Sequence, residues 1–184
     1  MKAILISIKP KYVADILNGR KTIEIRKTLP KCDLPIDVYI YCTKDKKYAN
    51  LINRGGFLTG MVVAKFTLNM VEHFEYETLS RDISGYWLDN GKEFENKGTC
   101  LTDSELWNYI KSGNGYAWHI DNIIPFDKPK ELSEFHKIGY DEAYNLAKCG
   151  WDSDECLDYH KSIEWLEEKY GLTKAPQSWC YIEE

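Results

Sequence analysis

No stretch of this 184-residue chain approaches the run of about 18 apolar residues that a membrane-spanning helix needs, so the chain reads as a soluble protein without a membrane role. Also missing are a C-x-x-C pair and any Cys/His spacing of the zinc-finger kind, so the six cysteines, Cys32, Cys42, Cys100, Cys149, Cys156 and Cys180, do not indicate a structural zinc. Its first ten residues have a basic residue and a short apolar stretch, but neither a full signal-peptide h-region nor a small-residue cleavage site. Free thiols and a cytoplasmic setting are therefore expected. There is no G-x-S-x-G, no H-E-x-x-H and no Walker loop, so the standard enzyme motifs give no support. Neither a metal nor a cofactor is expected. No internal repeat or low-complexity linker divides the chain, and its length suits one domain covering 1–184.

What is present begins with an uneven charge. The formal net charge of −5 argues at first against nucleic acid, because phosphate binding depends on Lys and Arg. Its distribution points the other way. Residues 1–48 carry 11 Lys/Arg against 5 Asp/Glu, and the remainder carries 13 against 24, so the basic residues concentrate near the N-terminus. A solvated basic face beside acidic helices accounts for the asymmetry equally well.

The chain then resolves into elements. Ala3 to Ile8 is an isoleucine-rich run that predicts a buried strand. Pro10 opens a helix over roughly 10–18, with Val13, Ile16 and Leu17 on one face and Gly19 at its end. Strands are predicted over 37–42 and 60–68 and again from Tyr116 to Ile124, where Pro125 and Pro129 should stop it. Thr102-Asp103-Ser104-Glu105 is a capping box that places a helix near 102–111. Helices near 141–148 and 153–170, ending at Gly150 and Gly171, precede a proline-led turn and a closing strand that includes Trp179 to Ile182.

Between Gly19 and Arg26 the period changes to two. Thr22, Glu24 and Arg26 point to one side of an extended segment while Ile23 and Ile25 point to the other. Lys21 sits at the turn between helix and strand, where its side chain reaches the same opening as Glu24 and Arg26. These residues form a constellation rather than a lone charge.

Gly19-x-Lys21-x-x-Glu24-x-Arg26, with Lys9-Pro10, the short helix and the strands at 39–43 and 116–124, resembles the ASCH domain, a branch of the PUA-like superfamily. The closing Pro176-Gln177-Ser178-Trp179 is similar to phage and prophage members. The stretches at about 69–115 and 127–172 look like insertions. The resemblance implies an α+β fold, a small PUA-like β-barrel with peripheral helices and helical insertions, and a cleft beside the first helix related to RNA-recognising modules. Lys9, Lys21, Glu24, Arg26, Tyr41, Ser178 and Trp179 are the ligand-binding residues this picture assigns. Lys21 and Arg26 offer cationic donors to phosphate or a base carbonyl, Arg26 in bidentate fashion. Glu24 either holds Arg26 in an ion pair or accepts from a base N–H. Tyr41, Trp118 and Trp179 are candidate aromatic faces for stacking, although Tyr41 and Trp118, lying in strands, read as core ahead of stacking platforms. Without the family, Lys21, Glu24 and Arg26 also read as a surface ion-pair ladder worth about 0–1 kcal/mol.

Three functional readings follow. The first is a module that binds RNA or a modified nucleotide. The second is a metal-free hydrolase, acting on a modified nucleoside or single-stranded RNA with Lys21 and Glu24 as catalytic pair. Some ASCH-like proteins resemble amidohydrolases whose G-R-K-T-I-T-I-R motif carries a threonine nucleophile, and this chain has Glu24 at that position, a base rather than the same nucleophile. The third is a protein-interaction adaptor, with the acidic helical additions as its surface. Oligomeric state has no signature in the residues.

Overall fold

The computed structural model describes residues 2–45, 59–80, 84–111, 113–149 and 156–183. The chain forms two compact units, residues 1–10, 37–65 and 125–184 in the first and 11–36 and 66–124 in the second. Strands and helices mix in an α+β arrangement with a six-stranded and a four-stranded sheet among the described residues. Neither sheet closes on itself among the described residues.

The first unit is built on β1 (Lys2–Ile8), which lies parallel to β3 (Ile36–Cys42) and antiparallel to β10 (Trp179–Glu183). Ala3 to Ile6 are completely buried, which explains the unbroken apolar run: a central strand covered on both faces has no polar side to present. Tyr39 and Tyr41 of β3 join Leu5, Phe135, Leu172 and Ile182 in its core. β4 (Val62–Leu68) and β8 (Asp121–Lys130) continue the sheet to one side, and the two-residue β9 (His136–Lys137) closes the other. Pro125 and Pro129 do not stop the strand as expected; both lie within β8. The reason is position. β8 is an edge strand, and two prolines four residues apart remove N–H groups from the same side of it, which an edge tolerates. The C-terminal helices α3 (Tyr140–Cys149) and α4 (Cys156–Tyr170) stand close to the predicted spans; Gly150 and the expected start near 153 lie outside the described residues. Leu166 anchors α4 at zero exposure.

In the second unit α1 (Pro10–Leu17) buries Val13 and Ile16 and ends before Gly19, whose φ of +70° is the left-handed conformation the sequence anticipates. The strand expected from Tyr116 to Ile124 is divided. β7 (Asn114–His119) belongs to the four-stranded sheet and β8 to the other, with Asn122 at φ +48° beside the break; asparagine accepts that conformation more readily than most residues. β2 (Ile23–Arg26) pairs with β7, and β7 with β5 (Val71–Thr78), which forms a ribbon with β6 (Ser84–Leu88). The β5–β6 ribbon was not anticipated. Helix α2 (Asp103–Ile110) starts at the predicted capping box, the Thr102 side chain accepting from the Glu105 N–H and the Glu105 carboxylate from the Thr102 N–H.

The four-stranded sheet packs one face into Leu106 and Ile110 of α2. Ile25, Ala117 and Phe74 form the sheet side of that core. Phe74 stacks flat on Phe94 with centroids 4.2 Å apart and 3° between planes. Gly115, opposite Phe74 in the ladder, makes this possible: a Cβ there would come within 2.7 Å of the ring's Cε2. Because Phe74 is fully buried and has no room to yield, Gly115→Ala is expected to lower stability by about 1–3 kcal/mol, read as a fall in the urea midpoint. An unchanged midpoint would contradict this packing.

Candidate functional site

The alternation read from the sequence holds in β2. Ile23 and Ile25 face the core, and Glu24 and Arg26 take the other face, paired across the ladder with Trp118 and Tyr116 of β7. The polar residues are not a surface ladder. Lys21, Glu24 and Arg26 are 2%, 8% and 7% exposed, so their charges interact in a medium where pairing and desolvation are both large.

Glu24 is the centre. One carboxylate oxygen lies 3.1 Å from Lys21 Nζ and the other 3.1 Å from Arg26 Nη2. Lys21 also donates to the carbonyls of Ile23 at 2.8 Å and Thr99 at 2.6 Å. An ammonium has three donors, and Lys21 has an acceptor for each. In this arrangement it is a strut that fixes Glu24 and the chain at Thr99, and direct donation to a ligand would require releasing one of these contacts. The three side chains together carry one net positive charge.

Thr99, fully buried, belongs to a loop that sequence reasoning missed. The N–H groups of Thr22 and Ile23 both donate to the Gly98 carbonyl, at 2.8 and 3.0 Å. Gly98 has φ +80°, and a Cβ there would collide with Thr22 Oγ1, so the close approach needs glycine. Thr99 Oγ1 donates to the Asn96 carbonyl and accepts from the Leu101 N–H. The sequence signal available was Gly98 with the capping box just after it, which marks a tight loop but not what it touches.

Two tyrosines border the charged cluster, and the sequence did not single them out either. Tyr12 of α1 is half-buried, its ring centroid 5.2 Å from Lys21 Nζ and 5.1 Å from Lys11 Nζ. Tyr109 of α2 is 38% exposed and carries Lys27 Nζ at 5.0 Å over its ring, with Arg26 close enough to act on its phenol. Burial pushes the Tyr109 phenol above its ordinary value, with Arg26 pulling it down and Glu24 pushing it up. Burial likewise raises Tyr12, with Glu105 and Glu24 adding to it. Both phenols therefore stay neutral at physiological pH. Lys11 and Lys27 are exposed, which adds cationic groups beside two partly open aromatic rings.

The other ligand-binding candidates, Lys9, Tyr41, Ser178 and Trp179, lie in the first unit. Tyr41 is opposite Ser7 in the β1–β3 ladder, and the Ser7 N–H donates to the Ser178 carbonyl at 2.9 Å. The Ser7 hydroxyl donates to the Pro176 carbonyl at 2.7 Å. Ser7 thus ties Tyr41 and Ser178 to one point, and sequence reasoning passed over it. Tyr41 is only 7% exposed and sits in the core. Lys9 is exposed, and Trp179 is half-buried edge-to-face against Tyr181 at 5.4 Å. Trp118, offered as a stacking platform, has no exposed surface; it is a core side chain in this geometry. Among the described residues no group of three or more His, Cys, Asp or Glu side chains is placed to hold a metal ion, and no helix is long and apolar enough to cross a membrane.

Comparison with known proteins agrees with the geometry of the fold. The ASCH domain family model matches residues 6–130. A search of curated protein sequences finds no significant match. Among solved structures, the crystal structure of ASCH from Zymomonas mobilis superposes with a TM-score of 0.56 at 16% identity, covering 99% of this chain and 88% of its own. A tyrosine-to-phenylalanine mutant of that protein gives 0.57 at 15% identity, covering 100% and 92%. A serine-to-alanine mutant gives 0.56 at 15% identity, covering 99% and 89%. At such identities the likeness is one of fold.

Proposed function

The chain belongs to the ASCH domain family, and from that premise we propose that it binds single-stranded RNA or a modified nucleotide at the cluster of Lys21, Glu24 and Arg26. The observation that carries the reading is the cluster's charge. Two cations share one carboxylate in a site less than a tenth exposed, and a buried excess of positive charge favours an anion in contact with it. Arg26 supplies the planar donor fork suited to phosphate or a base carbonyl. Glu24, held from both sides, orients that fork and offers its remaining lone pairs to a base N–H. Tyr109 and Tyr12, which border the cluster, supply the stacking faces that Trp118 does not.

The direct test is titration of the full chain with a single-stranded RNA of about ten nucleotides at two salt concentrations. With roughly two phosphates neutralised, affinity should fall about sevenfold between about 50 and 200 mM salt. Binding that is absent or indifferent to salt overturns the proposal.

The hydrolase reading is favoured by one observation, the 3.1 Å contact between a buried lysine and a carboxylate, since such a pair can activate water and stabilise the negative charge that develops. Under that reading, Glu24→Gln abolishes turnover of acylated or methylated nucleosides. Equal turnover by wild type and variant eliminates it.

A further inference from the structure

A cavity lies at the outer edge of the four-stranded sheet, beside β6. It encloses about 860 Å³ between β6, the chain at 93–101 and the first half of α2. Three aromatic rings line it: Tyr76 from β5, Tyr86 from β6 and Trp107 from α2. Tyr76 meets Tyr86 at 5.4 Å and 70°, and Trp107 at 4.8 Å and 68°. Both pairs are edge-to-face rather than stacked. Trp107 is 42% exposed, unusually open for a tryptophan held against another ring.

The charge of this cavity is opposite to that of the Lys21 cluster. Glu93 and Asp103 line it, while the other two ionic residues of the lining, Glu95 and Lys97, neutralise one another at 2.8 Å. The Glu93 carboxylate lies over Gly85, where an added Cβ would stand 3.6 Å from Oε1. An aromatic ring attracts a cation through the quadrupole of its face, and the carboxylates of Glu93 and Asp103 in the same lining repel phosphate and add to that attraction. We propose that this cavity binds an organic cation, an ammonium or guanidinium group on an alkyl stem, supplied by a basic side chain of a polypeptide or by a free small molecule.

The test uses the intact chain and four probes followed by calorimetry: tetramethylammonium chloride, free arginine, a tripeptide with a central arginine, and the same tripeptide with glutamate. Saturable binding of a cationic probe and none of the glutamate peptide is expected. Preference for the arginine peptide over free arginine and tetramethylammonium assigns the site to a polypeptide; equal binding assigns it to a small cation. Trp107→Ala should weaken the cation about tenfold. Glu93→Gln, which keeps the side chain's size, should weaken it severalfold and guards against misfolding of the tryptophan variant. The single-stranded RNA titration should be unaffected by Glu93→Gln, which separates this site from the Lys21 cluster. No saturable binding of any cation, equal binding of the glutamate peptide, or wild-type affinity in both variants would overturn the proposal.

Discussion

Glu24→Ala is expected to lower stability by about 3–5 kcal/mol, the usual cost of removing one partner from a buried ionic cluster. Both oxygens of this carboxylate are in use, one toward Lys21 and one toward Arg26, each at 3.1 Å. Its loss leaves two cations facing each other in a site that excludes water. Lys21 has a partial alternative in the carbonyls of Ile23 and Thr99, but those dipoles do not replace a full negative charge. The quantity to measure is the urea midpoint of the purified variant at neutral pH. A fall of only a few tenths of a kilocalorie, as about 0–1 kcal/mol surface pairs give, would show that water screens the cluster. Glu24→Gln should fall between, since the amide accepts one hydrogen bond without balancing charge.

Trp118→Ala carries the second large effect. The indole is fully buried near the C-terminal end of β7, with Glu24 on one neighbouring strand and Val71 on the other. Truncating a buried tryptophan costs about 3–5 kcal/mol, through lost burial and the cavity left behind. A stacking platform gives the opposite pattern: little stability lost, because its face is already wet, and a large drop in RNA affinity. Thermal melts of the free protein beside RNA titrations of whatever variant remains folded decide between them. Stability should move first and most. Tyr109→Ala should give the reverse result, affinity without much stability, because that ring is already partly exposed.

The local features of the site were legible in the sequence because local physics sets them. Gly19 ends a helix and Thr102 with Glu105 starts one, and both follow from backbone groups that must be satisfied within a few residues. The alternation of Ile23 and Ile25 with Glu24 and Arg26 needs only the period of a strand. What escaped notice was long-range. The Thr99 carbonyl reaches Lys21 across 78 positions, and a carbonyl has no side-chain signature. The β5–β6 ribbon was hidden because Val71-Glu72-His73-Phe74-Glu75-Tyr76 scatters acidic residues along a half-exposed strand, which reads as a polar connection. The burial of Lys21 was equally invisible, since a lysine followed by Thr, Ile and Glu fits a surface turn as well as a buried strut. Trp118 and Tyr41 illustrate the same limit from the other side: an aromatic in a strand has the same letters whether it faces a ligand or a core.

The proposed function requires that the Lys21–Glu24–Arg26 cluster be kept for an anionic nucleotide ligand rather than for stability. Its most direct test is the simultaneous replacement Lys21→Met, Glu24→Leu and Arg26→Met. Apolar replacement of a whole buried ionic cluster is often neutral or stabilising by about 1–4 kcal/mol, so the variant should fold. Fluorescence anisotropy with the short single-stranded RNA should then show affinity reduced at least about tenfold and the salt slope reduced by about one phosphate contact or more. A folded variant that binds RNA with wild-type affinity and wild-type salt dependence would show that the cluster does not bind the nucleotide.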